Sequence, residues 1–328
     1  MRRRLAYQLP GSALMNDALR SITADLAAGA VILLDGPTGT ELEQRGAEMH
    51  EGSWAAMASE THPEILLAIY EDYVRAGARI ITTNTFTTNR FMLEPAGLGD
   101  RFEQLNTKAL QLAHEARERT RDCGPIAIAG AMSHQMPRYQ GRMNPEWIPS
   151  LAQARAAFDE MAGLLAGEGA DVLLLEMMSD PDYANLAIEA ARNTGLPIWV
   201  GFSVRRSDDG VLVSNARREM AIEDMFSELE IEGVDVAGVM HSSANDTGPA
   251  LEALRSVWAG PTMAYPDSGF FRMPNWVFED ILPENELINF TESWVKTGTQ
   301  LIGTCCGLGL KHFRALATHF APKAAAPS

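Results

Sequence analysis

At 328 residues, with 43 acidic against 27 basic side chains, the chain carries a formal charge of −16 at pH 7. That charge repels phosphate backbones and anionic lipid surfaces, which argues against nucleic acid and membranes as partners. Hydrophobic residues at 46% and charged ones at 21% are the proportions of a soluble folded enzyme, not of a disordered chain.

The first residues, MRRRLAYQLPGSALMNDALR, begin basic, but Pro10, Gly11 and Asn16 interrupt them before any apolar segment of signal-peptide length. No later window approaches the roughly 18 consecutive apolar residues of a spanning helix. Residues 1–30 read as an N-terminal extension. Eight short apolar runs follow: residues 31–36 (VILLDG), 78–86, 125–133, 171–178 (DVLLLEMM), 197–204, 234–242 (VDVAGVMHS), 261–269 and 299–307 (TQLIGTCCG). Being continuous and not alternating, they predict strands buried on both faces, as in a parallel sheet. Helical patterns lie between them, among them 63–77, 101–120 and 151–169, and several stop at a glycine just before the next strand. This alternation predicts an α/β fold, a single-domain (β/α)8 TIM barrel over residues 31–318. A doubly wound open sheet is the competing architecture, but DGPTGT after the first strand lacks the GxGxxG spacing expected there. Residues 319–328, ending APKAAAPS, read as a disordered tail.

A TIM barrel places its chemistry at the C-terminal ends of the strands. Those ends carry Asp35, then Thr83, Asn84 and Phe86, then Glu176, His241, Asp267, and the pair Cys305 and Cys306. Asp35 alone could cap a turn. Glu176 directly after VLLL must be paired or functional to offset its burial. A lone strand-end histidine is most often a hydrogen-bonded core residue, and two neighbouring cysteines can simply pack. Together they admit another reading. Three cysteines at uneven spacing form no disulfide framework and fit a reducing, cytoplasmic compartment. Adjacent side chains point apart in regular structure, so two thiolates reach one ion only where the backbone turns, which Gly303 and Gly307 allow. A catalytic zinc takes three nitrogen or sulfur ligands and keeps one position open. His241, Cys305 and Cys306 meet that count, with Cys123 a bystander.

The stretches LLDGPTGTELEQRG, SWAAMASETHPEILLAIYEDYVRAGARIITTNTF, DVLLLEMM, YPDSG and SWVKTGTQLIGTCCGLGLKHFRAL, in this order over residues 30–318, resemble the homocysteine S-methyltransferase family. The vicinal cysteines within WVKTGTQLIGTCCG are the most specific part. The resemblance implies a (β/α)8 barrel with a zinc ion held by three cysteines, one of them at the end of strand six. That zinc lowers the pKa of the homocysteine thiol, which attacks the methyl group of a sulfonium or quaternary ammonium donor. Cys305 and Cys306 match the pair, and Asp35 and Glu176 match the acidic positions that hold the substrate amino group. Thr38 and Gly39 fall in the first substrate-binding loop. Trp54 matches a family aromatic near the donor, and with the strand-end Phe86 it is a candidate for cation–π contact with the cationic methyl group.

Four positions, in three segments, depart from the family pattern. Met240 and His241 stand where Asn and Cys are expected, Thr304 replaces a glycine, and Pro37 replaces Gly or Ala and removes a backbone donor. Imidazole is a good zinc ligand, so the site need not be lost by the change. Losing one thiolate makes the metal site less negative, so a bound substrate thiolate forms more easily and attacks less strongly. The expected activity is zinc-dependent transfer of methyl from an onium donor of the S-methylmethionine, S-adenosylmethionine or betaine type to homocysteine or a related thiol, giving methionine. Two alternatives stand beside it: a divergent member that demethylates another compound onto a different acceptor, and a zinc- or thiol-binding module served by a separate corrinoid or folate protein. The expected partners are therefore a small-molecule thiol and a methyl donor, and the sequence is compatible with a homo-oligomer.

Overall fold

The computed structural model describes residues 15–139 and 142–320. Eight parallel strands form one sheet: β1 (Ile32–Leu33), β2 (Ile80–Thr82), β3 (Ala127–Ser133), β4 (Val172–Met178), β5 (Ile198–Phe202), β6 (Val236–Ser243), β7 (Thr262–Asp267) and β8 (Thr299–Ile302). Their order around the sheet is β1-β8-β7-β6-β5-β4-β3-β2, each strand beside its neighbour in sequence. The sheet curls until β1 and β2 meet, which gives the (β/α)8 barrel that the apolar runs predict. The β1–β2 seam is thin. One backbone bond, from Arg79 N–H to Leu33 O at 2.9 Å, crosses it. Just above, the Asp35 carboxylate takes the place of a strand carbonyl and accepts the Thr82 N–H at 2.5 Å.

The helices are α1 (Asp17–Ala27), α2 (Thr38–Gln44), α3 (Pro63–Arg75), α4 (Phe102–Arg119), α5 (Leu151–Gly167), α6 (Pro181–Thr194), α7 (Ile222–Ser227), α8 (Ala244–Leu254), α9 (Glu284–Lys296) and α10 (Leu310–Phe320), together with a few single-turn segments. α3, α4 and α5 match the helical patterns read from sequence. The fixed φ of Pro63 starts α3, and a capping box between Ser150 and Gln153 starts α5.

Residues 1–30, read above as an extension, contribute α1. Asn16 caps this helix, its side chain accepting from the Leu19 N–H and donating to Asp171. Leu19, Ile22 and Leu26 pack with the barrel interior, against residues such as Leu174, Trp199 and Met263, so α1 closes the floor. The interior is tight. A Cβ on Gly201 or Gly238 would lie within 2.2 Å of Met240 or Met263 atoms, so only glycine leaves room for those methionines. A larger apolar layer lies between the strands and the outer helices, with Tyr70, Tyr73, Phe158 and Phe313 among its buried side chains. With floor and walls packed, the open end is the one where the strands finish. The tail beyond Phe320 lies outside the described residues.

Candidate active site and metal ligands

At the C-terminal mouth the strands border a small cavity of about 50 Å³. Of the nine positions given a binding or metal role from sequence, eight line it, Thr38, Gly39, Trp54, Phe86, Glu176, His241, Cys305 and Cys306, and the strand-end residues Thr83 and Asn84 join them. Asp35 lies outside this lining. Its carboxylate is buried and already holds three donors, the Thr82 N–H, the Thr82 hydroxyl at 2.9 Å and the Tyr265 hydroxyl at 3.0 Å. Burial pushes its pKa up to about 7, with the Thr82 and Tyr265 hydrogen bonds pulling the other way.

The cysteine loop is held between two neighbours. Thr304 N–H reaches Asp35 O at 3.3 Å, Cys305 N–H reaches Pro266 O at 2.8 Å, and Ser268 N–H returns to Cys306 O at 2.9 Å. A Cβ at Gly303 would meet the Tyr265 ring at 2.5 Å. One at Gly307, where φ is +81°, would stand 1.9 Å from Ser268 O. The glycines are thus required by this close approach as well as by the turn. Gly307→Ala is expected to cost about 2 kcal/mol or more in stability and to lower metal occupancy by displacing Cys306, as read by denaturant titration and metal analysis.

Glu176 and His241 are aimed by a matched pair of irregularities. Between Leu175 and Met178, β4 has one residue more than β5 opposite; between Met240 and Ser243, β6 has one more than β7. At each bulge a non-glycine residue takes positive φ, +58° at Met177 and +49° at His241. Such strain persists where surrounding contacts hold it, and it concentrates at functional sites. The two side chains meet: His241 Nε2 is 2.9 Å from Glu176 Oε2, and His241 Nδ1 is 3.2 Å from Cys305 Sγ. The Phe86 ring stacks on the imidazole with centroids 5.0 Å apart.

Burial drives the Cys305 thiol well above the ordinary cysteine range, and its hydrogen bond with Cys306 adds to this against the pull of His241. Burial works against charge on His241, but Cys305 and Glu176 carry its pKa above the usual histidine value. At the edge of the mouth Asp267 is raised to about 6, first by burial and then by Asp246, with His241 opposing. No Lys or Arg lines the inner cavity among the described residues. The site is rich in groups that a cation would stabilise.

As the side chains stand, no trio of His, Cys, Asp or Glu among the described residues is gathered into a finished metal site. The donor set nevertheless fits one. Two ligands of a tetrahedral zinc, about 2.0 and 2.3 Å from the ion, stand roughly 3.5 Å apart, close to the 3.2 Å between His241 Nδ1 and Cys305 Sγ. The third candidate, Cys306, shares the same wall.

Beside this cavity lies a wider space of about 430 Å³ that shares Trp54, Phe86, His241 and Cys306 with the inner one. Its walls include Phe270, Phe271 and Trp276 from a hairpin over the mouth, Asp267, and the guanidinium-bearing Arg205 and Arg218. Trp54 has φ +50° and packs edge-on to Phe271 at 5.7 Å; its indole N–H is buried with no partner among the described residues. Gly39 makes room for that indole, since a Cβ there would fall 2.4 Å from it. Sequence reasoning missed Tyr265, the hairpin aromatics and the two arginines. Tyr265 opens the YPDSG stretch quoted above but was given no role there, and the others lie on segments whose path over the mouth no periodicity predicts.

Comparison with known proteins agrees with this architecture. Homocysteine S-methyltransferase 3 of Zea mays is 27% identical over 305 residues, spanning 85% of this chain and 87% of that protein. Betaine–homocysteine S-methyltransferase 1 of Danio rerio is 26% identical, spanning 91% of this chain and 75% of that one. Selenocysteine Se-methyltransferase of Brassica oleracea is 25% identical, spanning 85% of each. Among solved structures, the metallated form of the homocysteine methyltransferase MmuM from Escherichia coli superposes with a TM-score of 0.72 at 24% identity, covering 92% of this chain and all of that one, a likeness of fold. The sequence model of the family described as homocysteine S-methyltransferase matches residues 32–320. The chain therefore belongs to the homocysteine S-methyltransferase family and is a methyltransferase.

Proposed function

We propose that this chain moves a methyl group from an onium donor to the sulfur of homocysteine or a closely related thiol, giving methionine, with zinc held by His241, Cys305 and Cys306. The observation that carries the reading is a pair of adjoining spaces with Trp54, Phe86, His241 and Cys306 in both linings. The inner one presents a histidine and two thiols, and the wider one is walled by aromatic rings and a carboxylate. Zinc bound there would supply Lewis acidity that brings a substrate thiol to its thiolate form near neutral pH.

The remaining work falls to the chain's own residues. Glu176 Oε2 faces His241, so Oε1 can take the ammonium group of an amino-acid thiol. Thr38, Gly39 and the unpartnered Trp54 N–H form another part of the wall, with donors for a substrate carboxylate. Asp35 braces this wall from behind through Thr82 and Tyr265. Trp54, Phe86, Phe271 and Trp276 offer ring faces to a sulfonium or ammonium methyl group; cation–π attraction there is worth about 1–2 kcal/mol when water is excluded. In the transfer, the thiolate sulfur forms a bond to the methyl carbon as the carbon–sulfonium or carbon–ammonium bond breaks. The donor leaves as a neutral thioether or amine, and the thiol proton is released to solvent. Holding both reactants in line supplies the largest share of the acceleration.

The test is methionine formation from homocysteine with S-methylmethionine, S-adenosylmethionine and betaine offered separately to zinc-loaded protein. One donor is expected to support turnover well above the others, because a single aromatic wall selects by shape. Zinc-loaded protein that forms no methionine from any of them would overturn the assignment of substrates.

A further inference from the structure

The family places a cysteine where this chain has His241, and the exchange alters more than the ligand atom. A thiolate makes one directional bond to a metal and leaves nothing to orient. An imidazole has a second nitrogen, and that nitrogen must be placed.

Here it is placed by Glu176. The extra residue in β4 and the extra residue in β6 turn the two side chains toward each other, at 2.9 Å between Oε2 and Nε2. Phe86 stacks on one face of the ring, and the Ser203 hydroxyl donates to the His241 carbonyl at 2.8 Å, which fixes the strained backbone beneath it. A ligating imidazole is neutral, and an ionised carboxylate only accepts, so in the ring that gives up a proton to bind a metal the nitrogen beside Glu176 keeps its hydrogen. The lone pair is then left on Nδ1, the atom that faces Cys305 Sγ at 3.2 Å.

We propose that Glu176 is a positioning residue for the metal site, locking His241 in the Nε2–H tautomer so that Nδ1 joins the two thiols as a ligand. The inference rests on the metal-bound reading above and assigns one carboxylate to two tasks: Oε2 orients the ligand while Oε1 receives the substrate ammonium. Substrate binding and ligand orientation therefore share a single side chain in this chain, a link that a cysteine at position 241 cannot make. Partners of this kind, one shell beyond a metal, change affinity by about 10- to 100-fold when removed.

The experiment measures Co2+ and Zn2+ affinity by competition with a chromophoric chelator, without substrate, in Glu176→Met and Glu176→Gln and again with each combined with His241→Cys. Met fills the same volume with no acceptor, whereas Gln keeps a neutral one. With His241 present, Glu176→Met is expected to lose 10- to 100-fold in affinity and Glu176→Gln less. With Cys at 241, both are expected to change it less than twofold, because nothing is left to orient. A long-range 1H–15N spectrum of the zinc-loaded chain should show one ring with hydrogen on Nε2 and metal on Nδ1, and that pattern should be lost in Glu176→Met. If the unsubstituted chain binds the ion but Glu176→Met leaves affinity unchanged, or lowers it equally in both backgrounds, the positioning role is overturned and the metal reading stands. If the unsubstituted chain binds neither ion, the metal reading itself falls and takes this inference with it.

Discussion

Cys305→Ser is expected to leave a folded chain that holds no stoichiometric zinc and transfers methyl groups at least about 10³-fold more slowly. The magnitude follows from the chemistry asked of the metal. Lewis-acid stabilisation of a developing thiolate is worth several kcal/mol, and each 1.4 kcal/mol is a factor of ten in rate. The fold should survive because the loop is held by backbone bonds to Asp35, Pro266 and Ser268, which the substitution does not touch. Serine is also smaller and more polar than the buried thiol, so a modest loss of stability accompanies it. Metal content by elemental analysis, methionine formation and the thermal midpoint read the three effects separately. A Cys305→Ser protein that keeps both one equivalent of zinc and normal turnover would remove Cys305 from the site.

The second large effect is expected at Asp35, on stability. Replacing it with alanine strands the Thr82 N–H and two hydroxyls at the seam where β1 and β2 share a single backbone bond. At about 1–1.5 kcal/mol for each lost bond and more for a donor left buried, the loss should be about 3–5 kcal/mol, read as a lowered denaturant midpoint. Asp35→Asn keeps an acceptor for the N–H and offers its amide to hydroxyls that can rotate, so it should cost much less.

The pH dependence separates charge from shape. With a folded-state pKa raised from 3.8 to about 7, the native chain holds its proton where the unfolded chain has released it. The stabilising contribution of this proton is complete below the unfolded pKa and is lost as pH rises from about 4 through about 7. The difference in stability between the unsubstituted protein and Asp35→Asn should therefore move against the unsubstituted protein across that window. A difference that stays flat would show that Asp35 titrates normally. Methyl transfer measured on the same variants completes the comparison. If Asp35 acts by bracing the wall through Tyr265 and Thr82, Asp35→Asn keeps most activity; if it binds the substrate ammonium directly, the KM for the thiol rises sharply.

How much of this was legible before folding depends on the range of the interaction involved. Burial on both faces writes itself into consecutive residues, so VLLLEMM and its counterparts marked all eight strands, and the helical patterns between them marked α3, α4 and α5 within two residues. A vicinal cysteine pair between glycines is equally local, as is a carboxylate at the end of an apolar run. These features let the sequence by itself determine the barrel, its chemical end and, on the cavity wall, Phe86, Glu176, His241, Cys305 and Cys306; Thr38, Gly39 and Trp54 came with the family resemblance.

Other features were decided only in three dimensions. β1 was read as six residues and pairs over two, because its upper part is replaced by the Asp35 carboxylate reaching across the seam. Nothing adjacent to Asp35 in sequence shows that its carboxylate accepts three hydrogen bonds; the donors belong to Thr82 and Tyr265, 47 and 230 residues away. The same holds for Glu176 and His241, 65 residues apart. Their residue types could be listed from sequence, but their contact depends on two single-residue bulges, and a bulge is a mismatch between paired strands that neither strand records alone.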